Sequence, residues 1–295
     1  MSLCEIHWFS KTLRKQVSTM VILPDVGKPP FSTFYLLHGL SDDHTIWLRR
    51  TRIEHFVRDL PLIVVMPDGF RGYYTDNEHG PAYAKYINEE LIAFIERNFP
   101  AKPSRSSRCI GGLSMGGYGA LRAALGYPDR FVSANSHSGA VLHGSKKWKR
   151  GTNFDWTDIY GTDPRGTNHD LLKLAADAKR RGKKLPRLLI DCGLDDVLLN
   201  ENREFHSKLD SLGVANDYIE FPGGHDWDYW EIHIREAIAF HAKHLKPAIL
   251  VEQKEIRRRE DSLLRHRIRV RFIFNRVKPQ AAGSRDTGPA CRDRF

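Results

Sequence analysis

Three side-chain types at separated points along the chain could together carry nucleophilic acyl chemistry. Ser114 lies in Gly112-x-Ser114-x-Gly116, within Cys109-Ile110-Gly111-Gly112-Leu113-Ser114-Met115-Gly116-Gly117. A hydroxyl is a weak nucleophile near neutral pH, so it needs a base. The base in turn needs a carboxylate that orients it and stabilises its charged form. A base is available at His225, in Gly223-Gly224-His225-Asp226-Trp227. A carboxylate is available in Cys192-Gly193-Leu194-Asp195-Asp196, where Asp195 and Asp196 are both better placed to turn inward than Asp191 at the strand end. Each piece alone has a plainer reading: a Gly-rich turn with an incidental serine, an Asp pair capping a helix, a histidine in a surface loop. Three such groups in the order Ser, Asp, His, each after its own apolar run, are much less readily accidental.

Acyl transfer also develops negative charge on the carbonyl oxygen, which two converging backbone N–H groups can stabilise. One donor follows the nucleophile and belongs to Met115. The other is expected from the loop after the third strand, His38-Gly39-Leu40, at Leu40. His38, at a strand end beside a glycine turn, is read as shaping that loop. The chain's 14 histidines raise the question of a metal. There is no HExxH, and His225-Asp226 are adjacent and chelate poorly, so neither a metal nor a cofactor is expected.

The elements that must position these groups follow from the apolar pattern. Strands are expected at Cys4–Phe9, Gln16–Leu23, Phe34–His38, Leu62–Met66, the run entering Ser114, Phe131–Asn135, Arg187–Asp191 and Asn216–Phe221. Helices are expected from Ser41-Asp42-Asp43 through Trp47, Ile53 and Phe56, then over Tyr83–Phe99, after Ser114, and over Leu171–Arg180, Asn202–Leu212 and Trp227–His244. An opening hairpin followed by alternating strands and helices predicts an α/β fold: a mostly parallel eight-stranded sheet with helices on both faces. Ser114 comes directly after the fifth strand, at a sharp strand-to-helix turn. Residues 137–168 break the periodicity and read as a small insertion over the strand ends.

Composition narrows the class further. Of 46 Lys and Arg and 36 Asp and Glu, residues 246–295 hold 14 and 6, leaving 32 and 30 in residues 1–245. The basicity therefore belongs to the tail, and no nucleic-acid partner is expected for the body. The tail includes Arg267-Ile268-Arg269-Val270-Arg271 and reads as a poorly ordered basic extension. The four cysteines are widely spaced, which argues against a disulfide framework. No apolar run reaches the roughly 20 residues of a membrane span, and the start lacks a secretory pattern. A cytoplasmic protein is expected, with a homo-oligomer left open.

The chain resembles the esterase D-like or "putative esterase" group of the α/β-hydrolase superfamily, and most of all bacterial tributyrin esterases. The resemblance runs over roughly residues 1–245. It is carried by Phe9-Ser10-Lys11-Thr12-Leu13, Val21-Ile22-Leu23-Pro24, Leu36-Leu37-His38-Gly39-Leu40 with Trp47 following, and the three loops quoted above. It implies Ser114 as nucleophile, His225 as base and Asp196, rather than Asp195, as the acid, with Leu40 and Met115 at the oxyanion positions. It implies a serine carboxylesterase for small-molecule esters with acetyl to butyryl acyl groups. The alternatives are a thioesterase of the S-formylglutathione hydrolase type and a non-catalytic interaction module. Trp47, Trp148, Trp156, Trp227 and Trp230 are candidates to line the alcohol side of the pocket.

Overall fold

A computed structural model describes residues 1–151 and 156–245. The basic tail, on which an extension was expected, lies outside the described residues. Eight strands form one sheet: β1 (Ser2–Ser10), β2 (Lys15–Leu23), β3 (Ser32–Leu37), β4 (Leu62–Pro67), β5 (Arg108–Leu113), β6 (Ser133–His137), β7 (Arg187–Gly193) and β8 (Asp217–Phe221). Their spatial order is β1-β2-β4-β3-β5-β6-β7-β8. β2 runs antiparallel to β1 and β4, and every later pairing is parallel.

The central strands are apolar on both sides because both sides are covered. In β3, Tyr35 and Leu37 enter one core while Phe34 and Leu36 enter the other. β4 alternates likewise, with Ile63 and Val65 on the first face and Leu62, Val64 and Met66 on the second. The first core is closed by Ile87, Leu91 and Ile95, by the helix Met115–Gly126, and by Leu171 and Phe205; the second is closed by Trp47, Ile53 and the helix Trp227–His244. This is the doubly covered sheet the alternation predicted, and it places β3, β5, β7 and β8 with their carboxyl ends along one rim.

Four local expectations change. The helix expected from Ser41-Asp42-Asp43 is two short ones, Ile46–Arg50 and Ile53–Val57. Between them the Thr51 hydroxyl donates to the Trp47 carbonyl (2.6 Å) and accepts from Ile53 N–H (3.2 Å), which ends one helix and starts the next. The helix expected over Tyr83–Phe99 contains a π turn, Tyr86–Leu91. Within that wider turn Glu90 accepts from Ser10 Oγ and from Lys11 and Thr12 N–H, tying the helix to the first hairpin. β6 starts two residues later than its apolar signal suggested, and ends at His137. The irregular segment therefore begins after β6, not at 137. It carries a 3₁₀ turn at His143–Ser145 and a short helix, Trp156–Tyr160.

Candidate active site

Ser114 occupies the tight turn between β5 and the helix Met115–Gly126 with φ 50° and ψ −112°. A non-glycine residue there carries strain of about 1–3 kcal/mol. The surroundings hold it. Ser114 N–H donates to the His137 carbonyl (2.9 Å), and Tyr118 and Ala140 N–H both donate to the Ser114 carbonyl at 3.1 Å. The turn can form only if its neighbours are small. A Cβ on Gly116 would sit 2.5 Å from the Leu37 carbonyl oxygen and 2.6 Å from that of His38. A Cβ on Gly112 would sit 2.7 Å from the same Leu37 oxygen. The helix thus begins in contact with Leu37 and His38, at the end of β3 and the start of the loop that carries Leu40.

The loops after β7 and β8 supply the two remaining groups. His225 Nε2 lies 3.0 Å from Ser114 Oγ, and His225 Nδ1 lies 3.0 Å from both Asp196 carboxylate oxygens. An ionised carboxylate only accepts, so Nδ1 carries the hydrogen and Nε2 is left to accept from the serine hydroxyl. Asp196 is buried, while Asp195 is exposed and donates its N–H to the Gly223 carbonyl (2.9 Å). Of the two carboxylates the composition left open, Asp196 is the one that meets His225. Asp195 instead ties the two loops together through its backbone. Asp226 accepts from Tyr229 N–H (2.9 Å) and caps the last helix.

Burial pushes the Asp196 carboxyl up, but hydrogen bonds from His225, Ser138 and Leu198 N–H outweigh it and hold the group below the usual carboxylate range. Ser138 was not among the sequence candidates. It too sits at positive φ, 49°, with its N–H donated to the Asp191 carbonyl (2.8 Å) and its Oγ accepting from Trp230 Nε1 (3.2 Å). Its only sequence signal is its place directly after a strand of the sheet.

His38 is buried at the end of β3. Its Nδ1–H donates to the Gly39 carbonyl (2.8 Å) and its Nε2 accepts from Gly69 N–H (2.9 Å). Both ring nitrogens are thus used to fasten the Leu40 loop to the end of β4, which is the shaping role expected of it.

The tryptophans divide. Trp47 is 1% exposed, donates Nε1 to the Leu37 carbonyl (3.1 Å) and meets Trp227 edge-on. It is a core residue, which corrects the pocket assignment. Trp230 is also buried; its ring stands edge-on to His225 at 5.0 Å and backs the imidazole. Trp227 is half-buried against Trp230. Trp148 and Trp156 stack at 4.5 Å on one another, beside His143 and Tyr160, and are partly exposed. Among the described residues no group of three or more His, Cys, Asp or Glu side chains is placed to hold a metal ion. No described helix is long and apolar enough to cross a membrane.

Comparison with known proteins gives a consistent result. The family model described as "Putative esterase" matches residues 10–241. An acetyl esterase of Caldicellulosiruptor saccharolyticus is 31% identical over 268 residues, covering 82% of this chain and 99% of that protein. An esterase of Mycobacterium tuberculosis is 30% identical over 241 residues, 70% of this chain but 51% of its own length. Among solved structures, a fluorophosphonate-binding serine hydrolase of Staphylococcus aureus, with substrate bound, superposes with a TM-score of 0.75 at 32% identity, covering 81% of this chain and 98% of that one. An S-formylglutathione hydrolase of the same organism gives 0.71 at 31% identity, with 82% and 99% covered. The match runs from the first hairpin to the last helix, and the chain belongs to the "Putative esterase" family, carboxylic ester hydrolases of the α/β-hydrolase fold.

Proposed function

We propose that this protein is a serine carboxylesterase for short acyl esters, acetyl to butyryl, working through an acyl-enzyme. Ser114 Oγ attacks the ester carbonyl carbon as His225 Nε2 takes its proton. Asp196 holds the imidazole and stabilises the cation that forms. The N–H groups of Leu40 and Met115 receive the developing oxyanion. The leaving alcohol takes the proton from Nε2. A water, deprotonated by the same nitrogen, then attacks the acyl carbon, and Ser114 Oγ leaves with the returned proton as the acid is released. The observation that carries this reading is the unbroken chain from Ser114 Oγ through His225 to Asp196, each link 3.0 Å. The short acyl group is supported by the acetyl esterase relative, 31% identical. Residues 1–245 are taken as the hydrolase unit, with the segment after β6 lying beside the site.

Labelling with a fluorophosphonate tests the nucleophile. Wild type is expected to label and Ser114→Ala to lose both labelling and turnover, the latter by at least about 10³-fold. Labelling that survives the substitution removes Ser114 from the mechanism. A series of p-nitrophenyl esters from acetate to octanoate then sizes the acyl pocket, with the fastest turnover expected at acetate to butyrate.

A thioesterase is the second reading. It is favoured by the S-formylglutathione hydrolase neighbour, 31% identical with a TM-score of 0.71. The same serine, base and oxyanion donors serve a thioester. The ratio of kcat/KM on S-formylglutathione to that on p-nitrophenyl acetate separates the two, and a strong preference for the thioester replaces the carboxylesterase reading.

A further inference from the structure

At the far end of the nucleophile helix from Ser114, a cleft of about 640 Å³ opens between that helix and the helix Leu171–Arg180. Its volume is in the range of small-molecule sites, which run to roughly 300–1,000 Å³. Arg122 forms part of its wall and is 5% exposed. Its Nε has no hydrogen-bond partner, and among the described residues no carboxylate lies within ion-pair distance of it. Its nearest electrostatic neighbours are the hydroxyls of Tyr118, Tyr127 and Tyr160 and the ring of His169, with Asp76 acting on His169 and on Tyr127 from outside ion-pair distance of the guanidinium. Burial holds that ring neutral, pulling His169 down to about 4, with the charge of Arg122 adding to the effect. A buried guanidinium with no carboxylate in ion-pair contact keeps part of its desolvation cost.

The mouth of the cleft has the same sign. Two of its lysines are neutralised locally, Lys183 by Asp129 (2.6 Å) and Lys173 by Asp177 (3.0 Å). Arg130 and Arg181 also line the cleft, are exposed, and form no ion pair among the described residues. Against these three arginines stands one further carboxylate, Asp76, whose Oδ1 accepts from Lys85 N–H (3.0 Å). Leu125, Leu174 and Ala178 supply an apolar wall.

We propose that this cleft is a second binding site, separate from Ser114, for a small organic molecule bearing a phosphate or carboxylate group. The oxyanion would pair with Arg122 at the bottom while Arg130 and Arg181 hold it from the mouth. A guanidinium presents a planar fork that matches either oxyanion bidentately. The apolar wall would take the body of the ligand. The negative end of the nucleophile helix dipole faces this region and opposes an anion, but by only about 0.3–1 kcal/mol. That is less than a desolvated, charge-assisted pair contributes, about 1.5–3 kcal/mol per hydrogen bond.

Isothermal titration calorimetry with inorganic phosphate and with citrate tests this on the full chain, and it needs no turnover. Saturable binding of at least one anion is expected. Arg122→Met should weaken it about tenfold or more, and Arg130→Ala with Arg181→Ala several-fold. A preference for phosphate points to a phosphorylated ligand and a preference for citrate to a carboxylate. Absence of saturable binding of both at millimolar concentration overturns the proposal. So does an Arg130→Ala/Arg181→Ala protein that binds as wild type, a result that stands even if Arg122→Met fails to fold.

Discussion

Ser114 and Ser138 are both held at positive φ, directly after neighbouring strands, and each has its N–H fastened to the strand next to it. The first presents a hydroxyl to His225. The second accepts from Trp230 Nε1, and its hydroxyl is among the groups that lower the Asp196 carboxyl. Replacing Ser138 by Ala removes that influence and leaves Trp230 Nε1, which backs the His225 ring, without its acceptor. Ser138→Ala is expected to lower kcat about tenfold on p-nitrophenyl acetate with KM nearly unchanged. An effect on KM alone would mean that Ser138 lies against the substrate and does not position the acid.

At the scale of elements, the site depends on how closely the nucleophile helix approaches β3. Gly116→Ala would drive a methyl to 2.5 Å from the Leu37 carbonyl oxygen, and backbone cannot yield there cheaply. The helix must back away, carrying Met115 N–H from the oxyanion position proposed for it and Leu40. Chemical denaturation should show a loss of about 1–3 kcal/mol, and kcat should fall at least about 10²-fold through the misplaced oxyanion donor. A second joint fastens the segment after β6 to the helix Leu199–Ser211. Glu201, on that helix, accepts from Leu142 N–H (2.8 Å) and pairs with Lys146, with His143 3.5 Å away. Burial raises its pKa, but these partners outweigh it and pull the carboxyl down to about 2. A group depressed on folding stabilises the native state above its unfolded pKa and loses that contribution as pH falls through the folded one. Glu201→Gln should therefore cost on the order of 2–3 kcal/mol at pH 7. The gap from wild type should close as pH falls from the ordinary glutamate range toward 2, measured by urea unfolding across that range.

On the scale of the whole molecule, the family match ends at residue 241 and the described fold at Leu245. All five proposed groups, Ser114, His225, Asp196, Leu40 and Met115, lie before that point. A chain ending at residue 245 is expected to keep kcat/KM on p-nitrophenyl acetate within about twofold of the full chain, the scale of surface changes away from a site. A larger loss would assign the basic tail a part in the reaction. Strand count, the mostly parallel character of the sheet and the chain order Ser, Asp, His could be read from the sequence because each rests on local signals. Apolar runs of strand length mark strands covered on both faces, and glycines mark the tight turns between them. Three things could not be read that way. β6, Ser133-Ala134-Asn135-Ser136-His137, is wholly buried yet mostly polar, so hydropathy placed it two residues early. Those of its side chains that find partners find them far along the chain: His241 reaches Ser133 (2.8 Å) and Asn135 (2.9 Å), and Asp191 reaches His137 (2.7 Å). The role of Ser138 and the burial of Trp47 were hidden for the same reason. Periodicity along a chain records which residues leave water, and so it determined the layers and the loops that carry the chemistry. Which buried polar atom meets which partner depends on contacts between distant segments, and only the tertiary structure decided it.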